Sequence, residues 1–381
     1  KQVVLDAIAQ RDQIKADREF ELLVTKFAKN KNIAEALYRI GFEYQNKYNK
    51  KNKATEIHMY NTSHFPNDSY ALLSQVEIIR RYIREGSKLA ENEVEIMLEI
   101  FRSQPDLPKS IYQIGQFYTN NKKKEQGIKM FQYAANKYPD EIYGQLSQIK
   151  LFLETKEYDA ADIIAGDLFL FHADNAVARK GLRDLAAFYR DKKEYERSIN
   201  LYMDQITEKT ASDDPIDSYR ELIYTYIDMN NIENADEVIA RMQTDLAANP
   251  RLARTIFNIG NHFLTAGDSA NAIRIHKYNV EHYTDVFESM WSQAALVWYY
   301  VRHNDQANAD IEYANLLKIY QNQTTLAKEV FQIGDIYLEV DNSEKARTFY
   351  QQVLDEWHES EYVFNAKAGF IKADIHDGYD E

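Results

Sequence analysis

Chemistry in a chain starts with groups that can hold a metal, move a proton or cradle a phosphate, and each class can be sought by its spacing. The nine histidines include His276 and His282, six residues apart, which puts them on different faces of a helix rather than on one metal-binding face. No H-E-x-x-H pair occurs. Carboxylates cluster at "ENEVEIMLE" and "SDDPID", but with 60 acidic side chains on a helical chain such pairs arise without a site. "DNSEK" at 341–345 and "SDDPID" lack the central glycine of a helix–loop calcium site. No two glycines lie closer than seven positions, so no phosphate loop forms. Cysteine is absent, which removes thiolate ligands, disulfides and cysteine nucleophiles. These patterns predict no catalytic residue, no metal and no cofactor. The aromatic run "MWSQAALVWYY" is read as a packed seam rather than a sugar platform.

The elements that would carry any site are helices. Only 6 Pro and 12 Gly punctuate 381 residues, too few for the turns of an all-β fold. A hydrophobic content of 45% suffices for a core. The 28 tyrosines suit helix seams whose edges reach water. The net charge of −14 repels phosphate backbones, so nucleic acid is not an expected partner. No apolar run reaches the ~18 residues that span a bilayer.

One stretch sets the organisation. "SIYQIGQFYTNNKKKEQGIKMFQYAANKYPDE" (110–141) places Gly115, Tyr118, Gly127, Phe131, Ala134 and Pro139 at offsets that return elsewhere. They reappear at Gly41, Tyr44 and Ala54, at Gly260, Phe263 and Ala272, and at Gly334, Tyr337, Ala346 and Tyr350. Weaker copies run through Ile149 and Ala161, Ala186 and Ser198, Ile223 and Ala235, and Ala295 and Ala307. The second small residue thus recurs at 127, 161, 198, 235, 272, 307 and 346, with gaps of 34 to 39. Such a period predicts stacked helical hairpins, each burying the apolar face its neighbour leaves open. Residues 69–105 have the length of a hairpin but are read as degenerate, without the small-residue signature.

These residues resemble the tetratricopeptide repeat, which residues 111–139 match through Ile111, Ile114, Gly115, Tyr118, Gly127, Phe131, Ala134 and Pro139. The resemblance runs from about residue 3 to the end. It implies an all-α, right-handed superhelix of about nine to ten hairpins, in one continuous array over 1–381. Its hairpins are 33–66, 69–105, 108–139, 142–173, 176–210, 217–250, 252–284, 286–320 and 326–358. Residues 1–29 read as a hairpin cut short at its start, and 361–381 as a capping helix with an acidic tail. The connectors "FPNDSYA", "YPDEIYG" and "WHESEYVFNA" are similar to those of bacterial cell-envelope members of the family, including outer-membrane assembly lipoproteins and Tol-Pal-associated periplasmic proteins. That favours a periplasmic or envelope location.

The resemblance also implies that the first helix of each hairpin lines a concave groove. Its inward positions are Tyr38 and Phe42; Tyr112 and Gln116; Leu146 and Lys150; Lys180, Arg183 and Arg190; Arg220 and Tyr224; Arg254, Phe257 and Asn261; Ser292, Leu296 and Tyr299; and Lys328, Phe331 and Asp335. Three consecutive hairpins point arginine inward within an acidic protein. Two readings stand: these arginines bind an acidic or C-terminal peptide, or they pair with acidic neighbours on adjacent helices. The family's carboxylate clamp, a Lys followed four residues later by an Asn with basic partners on the next first helix, is not reproduced. The function expected is a non-catalytic scaffold for a protein or peptide. The alternative is an envelope-assembly or outer-membrane-tethered adaptor, and a helical-toroid enzyme ranks below both because the loops are short. No oligomeric state follows from the sequence.

Overall fold

The computed structural model describes residues 1–207, 214–284 and 286–378. The calcium reading at "SDDPID" falls in part, and the end of the acidic tail wholly, outside the described residues. The described residues form 21 helices and no strand. In chain order these are α1 (Gln2–Ala9), α2 (Gln13–Lys26), α3 (Ile33–Asn46), α4 (Lys51–His64), α5 (Ser69–Arg84), α6 (Leu89–Ile100), α7 (Leu107–Asn120), α8 (Lys124–Lys137), α9 (Ile142–Thr155) and α10 (Tyr158–His172). Then follow α11 (Ala176–Asp191), α12 (Tyr195–Thr207), α13 (Ile216–Asp228), α14 (Ile232–Asp245), α15 (Leu252–Thr265) and α16 (Ser269–His282). The last are α17 (Phe287–Arg302), α18 (Gln306–Tyr320), α19 (Leu326–Glu339), α20 (Ser343–Glu356) and α21 (Tyr362–His376). Two compact units divide the chain, Lys1–Leu182 and Arg183–Glu381, with the boundary inside α11.

Helices pair as hairpins, α1 with α2 through α19 with α20, and each tight turn contains a residue in the left-handed region. These are Arg11, Asn49, Gly86, Lys122, Lys156, Lys193, Asn230, Gly267, Asn304 and Asp341. A left-handed residue ends the first helix by letting its last carbonyls be satisfied across the turn. In five turns the next residue then caps the second helix: Asp12, Asn231, Asp268, Asp305 and Asn342 each accept the backbone N–H three residues on.

Small residues mark the close contact inside each hairpin. Ala16, Ala54, Ala90, Ala161, Ser198, Ala235, Ala272, Ala309 and Ala346 are all fully buried on second helices, and Gly127 holds the same place on α8. At Gly127 a Cβ would meet the Gly115 carbonyl oxygen at 2.9 Å, so backbone, not only side chain, lies against it. Two sequence expectations change here. The hairpin at 69–105 is not degenerate, because Ala90 supplies its small residue. Ala307 is exposed and Ala309 takes its place, since α17 runs to 16 residues where α15 and α19 have 14. With Ala309 the spacing from Ala161 onward becomes a constant 37 residues.

A second contact links hairpin to hairpin. His58, Phe131, His276 and Tyr350 each press a ring on the glycine of their own first helix: Gly41, Gly115, Gly260 and Gly334. A Cβ at any of these glycines would stand 2.6–2.7 Å from a ring atom. Sixteen residues beyond each ring, on the next first helix, stand Ser74, Ser147, Ser292 and Ala366, all fully buried. The two histidine cases are twins. Asn61 donates to Ala34 O (3.0 Å) and Ser74 Oγ (2.8 Å), and Asn279 donates to Ala253 O (3.0 Å) and Ser292 Oγ (2.7 Å). Each serine hydroxyl is thereby left to donate to the histidine Nδ1, at 3.1 and 3.2 Å. The proton of each imidazole then sits on Nε2, which faces glycine.

The twinning extends further. Gln75 donates to Glu93 O and Oε2 at 3.0 and 2.7 Å, and Gln293 to Glu312 O and Oε2 at the same distances. Residues 33–143 therefore recur at 252–362, shifted by 218 or 219 positions, from Ala34/Ala253 to Tyr143/Tyr362.

Burial pushes the imidazoles of His58 and His276 down to about 4. Between pH 6.5 and 4 the unfolded chain binds protons at these rings that the folded chain does not. Stability is accordingly complete above that window and falls as pH drops through it, by up to roughly 3 kcal/mol per histidine. His276→Phe, which installs the ring found at Phe131, is expected to flatten the loss of urea midpoint between pH 7 and 5 relative to the parent. An unchanged slope would show that His276 is not held neutral.

Candidate functional site

In the unit Arg183–Glu381 the first helices α11, α13, α15 and α17 carry most of the residues singled out by sequence. Arg190 on α11 donates through Nη1 to Glu221 Oε2 at 2.7 Å, and its Nε lies 3.5 Å from Asp228. Arg220 on α13 donates to the other oxygen of Glu221 at 2.7 and 3.1 Å and to Asp217 at 2.9 Å. Arg251 reaches Asp217 at 2.7 Å and Asp214 at 3.4 Å. His262 on α15 meets Asp228 at 2.7 Å and stacks on Tyr224, ring centroids 4.0 Å apart and 12° from parallel. Both guanidiniums, Arg190 and Arg220, lie within about 6 Å of the Tyr224 ring. Burial pushes the Tyr224 hydroxyl up to about 12, so it stays a donor through the physiological range.

The result is a ladder of alternating charge across three first helices. Glu221 is its centre, because one carboxylate holds two guanidiniums that would otherwise repel. Of the two readings of the inward arginines, internal pairing describes Arg190 and Arg220.

Arg254, one helix on, is different. It is exposed, forms no ion pair among the described residues, and lies 5.8 Å from the Trp291 ring. Phe257 packs against Trp291 at 5.6 Å and against His276 at 5.7 Å. The indole Nε1 of Trp291 is buried without a hydrogen-bond partner. Asn261, half-buried on α15 one turn beyond Phe257, makes no side-chain hydrogen bond among the described residues. Arg254, Phe257, Asn261 and Trp291 thus gather a guanidinium, an amide and two aromatic faces on adjacent first helices.

Residues 330–356, the hairpin of α19 and α20, match the family model described as tetratricopeptide repeat. That hairpin carries a tetratricopeptide repeat. No curated protein matches the sequence. Among solved structures the chain is similar to PilW, described as a widely conserved type IV pilus biogenesis factor, at 12% identity over 58% of this chain and 97% of that one, with a TM-score of 0.35. It is similar to pilF of Pseudomonas aeruginosa at 14% identity, covering 58% of this chain and 95% of that one, TM-score 0.35. A tetratricopeptide repeat protein of Parabacteroides merdae ATCC 43184 is 11% identical over 68% of this chain and 96% of that one, also at 0.35.

Within the repeats, the remaining inward positions fall into two groups. Lys180 is exposed and Arg183 half-buried on α11; Phe42 is exposed, and Tyr38, Gln116, Lys150, Tyr299, Lys328 and Asp335 are half-buried. Tyr112, Leu146 and Phe331 are buried instead, at 8%, 5% and 8% exposure, because their side chains fill seams between neighbouring helices. Tyr112 packs on Phe131 and Tyr143, both at 5.8 Å, and Phe331 on Tyr350 at 5.7 Å. Ser292 and Leu296 are buried too, a consequence of the two-residue slip in α17. With the slip applied, Trp291 and Trp298 take the inward places. Trp291 was therefore missed by a register error, and Ala309, placed 37 residues from both Ala272 and Ala346, is the signal that corrects it.

Removing Glu221 would leave Arg190 and Arg220 facing each other with less than 30% of either side chain exposed. Glu221→Ala is expected to cost about 2 kcal/mol in urea unfolding, discounted for partial exposure. Arg220→Ala, which leaves Glu221 paired with Arg190, should cost clearly less. Equal costs would contradict the shared-carboxylate arrangement.

Proposed function

We propose that the protein is a non-catalytic scaffold that holds an extended protein segment against its first helices, with Arg254, Phe257, Asn261 and Trp291 as the principal contact. The single observation behind this is the contrast between Arg190 and Arg220, whose guanidiniums are already satisfied by carboxylates, and Arg254, whose guanidinium lies by an aromatic ring with no ion pair among the described residues. An Arg fork in that setting suits a carboxylate, and the flanking aromatics suit an apolar side chain beside it. Asn261 can hydrogen-bond the main chain of the same segment. The ligand class is an acidic or C-terminal peptide. Arg183, Arg190, Arg220 and Tyr224 belong to the same proposed lining, where Arg190, Arg220 and Tyr224 build the wall rather than contact the ligand.

The test begins with a partner captured by the wild-type protein and mapped to a peptide. Arg254→Ala is expected to weaken that peptide about tenfold or more in calorimetry, and added salt to weaken the wild-type complex. Arg274→Ala, on α16, should leave affinity within about twofold. Equal affinity for wild type and Arg254→Ala would remove Arg254 from the site.

A second reading, an adaptor in cell-envelope assembly, is favoured by the connectors "FPNDSYA" and "YPDEIYG". Fractionation of the native cells is expected to place the protein with periplasm or membranes. Recovery with the cytoplasm would discard this reading.

A further inference from the structure

α21 is built as the first helix of another hairpin. Ala366 occupies the place of Ser74 on α5 and Ser292 on α17, sixteen residues after a ring on the preceding second helix. Counting from that position, α5 buries Leu72, Val76, Ile79 and Ile83 against α6 at 0–2% exposure. α17 likewise buries Met290, Ala294, Val297 and Val301 against α18 at 0–5%. The equivalent residues of α21 are Phe364, Ala368, Ile371 and Ile375, the same sequence of large, small, branched and branched side chains as on α17. Phe364, Ile371 and Ile375 are 79%, 61% and 60% exposed. The helix therefore presents an apolar stripe in place of the polar outer face expected of a cap.

What the stripe takes can be read from its two covered counterparts. α6 meets α5 through Ala90, Val94, Met97 and Phe101, and α18 meets α17 through Ala309, Tyr313, Leu316 and Tyr320. Both second helices also carry a glutamate, Glu93 or Glu312, three residues after the alanine, gripped by Gln75 or Gln293. The residue of α21 in the glutamine's place is Lys367, exposed and without an ion pair among the described residues. A lysine there raises the preference for a carboxylate from hydrogen bond to ion pair.

We propose that α21 is a docking seat for a single amphipathic helix of a partner protein carrying the pattern Ala-x2-Glu-φ-x2-φ-x3-aromatic, where φ is apolar. The helix lies along Phe364, Ala368, Ile371 and Ile375 as α18 lies along α17, its glutamate on Lys367. This surface is separate from the groove around Arg254, and neither reading depends on the other.

The probe is a labelled synthetic peptide of residues 304–323, the chain's own α18, titrated with the intact protein in fluorescence anisotropy. Saturable binding is expected, weakened at least tenfold by Ile371→Asp. That side chain is exposed, so the fold survives, as unchanged helical circular dichroism would show. Lys367→Glu is expected to weaken the peptide about threefold to fivefold, and a peptide with Glu312→Lys to recover that loss on the Lys367→Glu protein. No saturable binding, or binding indifferent to Ile371→Asp, overturns the proposal. Self-association of the protein in sedimentation equilibrium that Ile371→Asp abolishes would also overturn it, by giving the seat to a second copy.

Discussion

A ring that needs two missing side chains is the constraint on which these repeats depend. His58, Phe131, His276 and Tyr350 occupy space that only a glycine on their own first helix leaves, and the two histidines also meet a serine on the next. Tyr350 shows both sides at once, since it meets Gly334 in its own hairpin and Gly369 on α21. Where the ring touches both helices, as at His58, His276 and Tyr350, the distance within a hairpin and the step to the next are set by one side chain. Packing at native density leaves no slack for either to vary alone. The small residues on the second helices impose the matching condition from the other direction, and together they hold the spacing at 37 residues over much of the chain. Apolar area alone would tolerate sliding; interlocked small and large positions do not.

The duplicated blocks separate what this constraint fixes from what it leaves free. Between 33–143 and 252–362 the buried pairs persist: Gly41 and Gly260, His58 and His276, Asn61 and Asn279, Ser74 and Ser292, Gln75 and Gln293. The lining does not. Glu35 stands where Arg254 does, Phe42 for Asn261, Leu73 for Trp291 and Arg80 for Trp298. Glu35 pairs with Arg39 at 2.7 Å and Arg80 with Glu77 at 2.8 Å, so the first block pairs locally at the two positions that Arg254 and Trp298 hold in the second. A buried polar cluster such as His–Ser–Asn loses heavily if any one member changes, because the other two are left unsatisfied. A lining residue carries no such penalty. Two like interiors with unlike linings are what that asymmetry produces.

How much of this was legible in the sequence follows the same division. The hairpins could be read because small residues recur with a period set by interior packing, and that period survives weak copies. It failed locally where α17 is longer: a small residue, Ala307, lies close to the true one, Ala309, and nothing nearby arbitrates. The inward assignment inherited the slip, naming Ser292 and Leu296 and passing over Trp291. Tyr112 and Phe331 were named from position alone, yet seam packing buries them. The fate of the arginines was less accessible still. Arg190 finds Glu221 thirty-one residues away on another helix, and no local pattern distinguishes that from an open guanidinium such as Arg254.

The net charge of −14 then has a structural meaning beyond repelling nucleic acid. An excess of carboxylates over cations means that a first-helix arginine ordinarily meets an acid before it meets a ligand. Around α13 the acids Asp214, Asp217, Glu221 and Asp228 outnumber the arginines Arg190, Arg220 and Arg251 that they hold. Positive potential is thereby extinguished everywhere that a carboxylate lies within reach. Among the described residues Arg254, whose neighbours on α17 are aromatic, has no such partner, and neither does Arg84, which lies 5.1 Å from the Phe117 ring. An acidic protein can thus keep a guanidinium open by surrounding it with rings instead of carboxylates. For the ligand proposed above, such an arrangement would favour selection by local geometry over long-range attraction, since an acidic segment approaching a surface of this sign gains little until it reaches that contact.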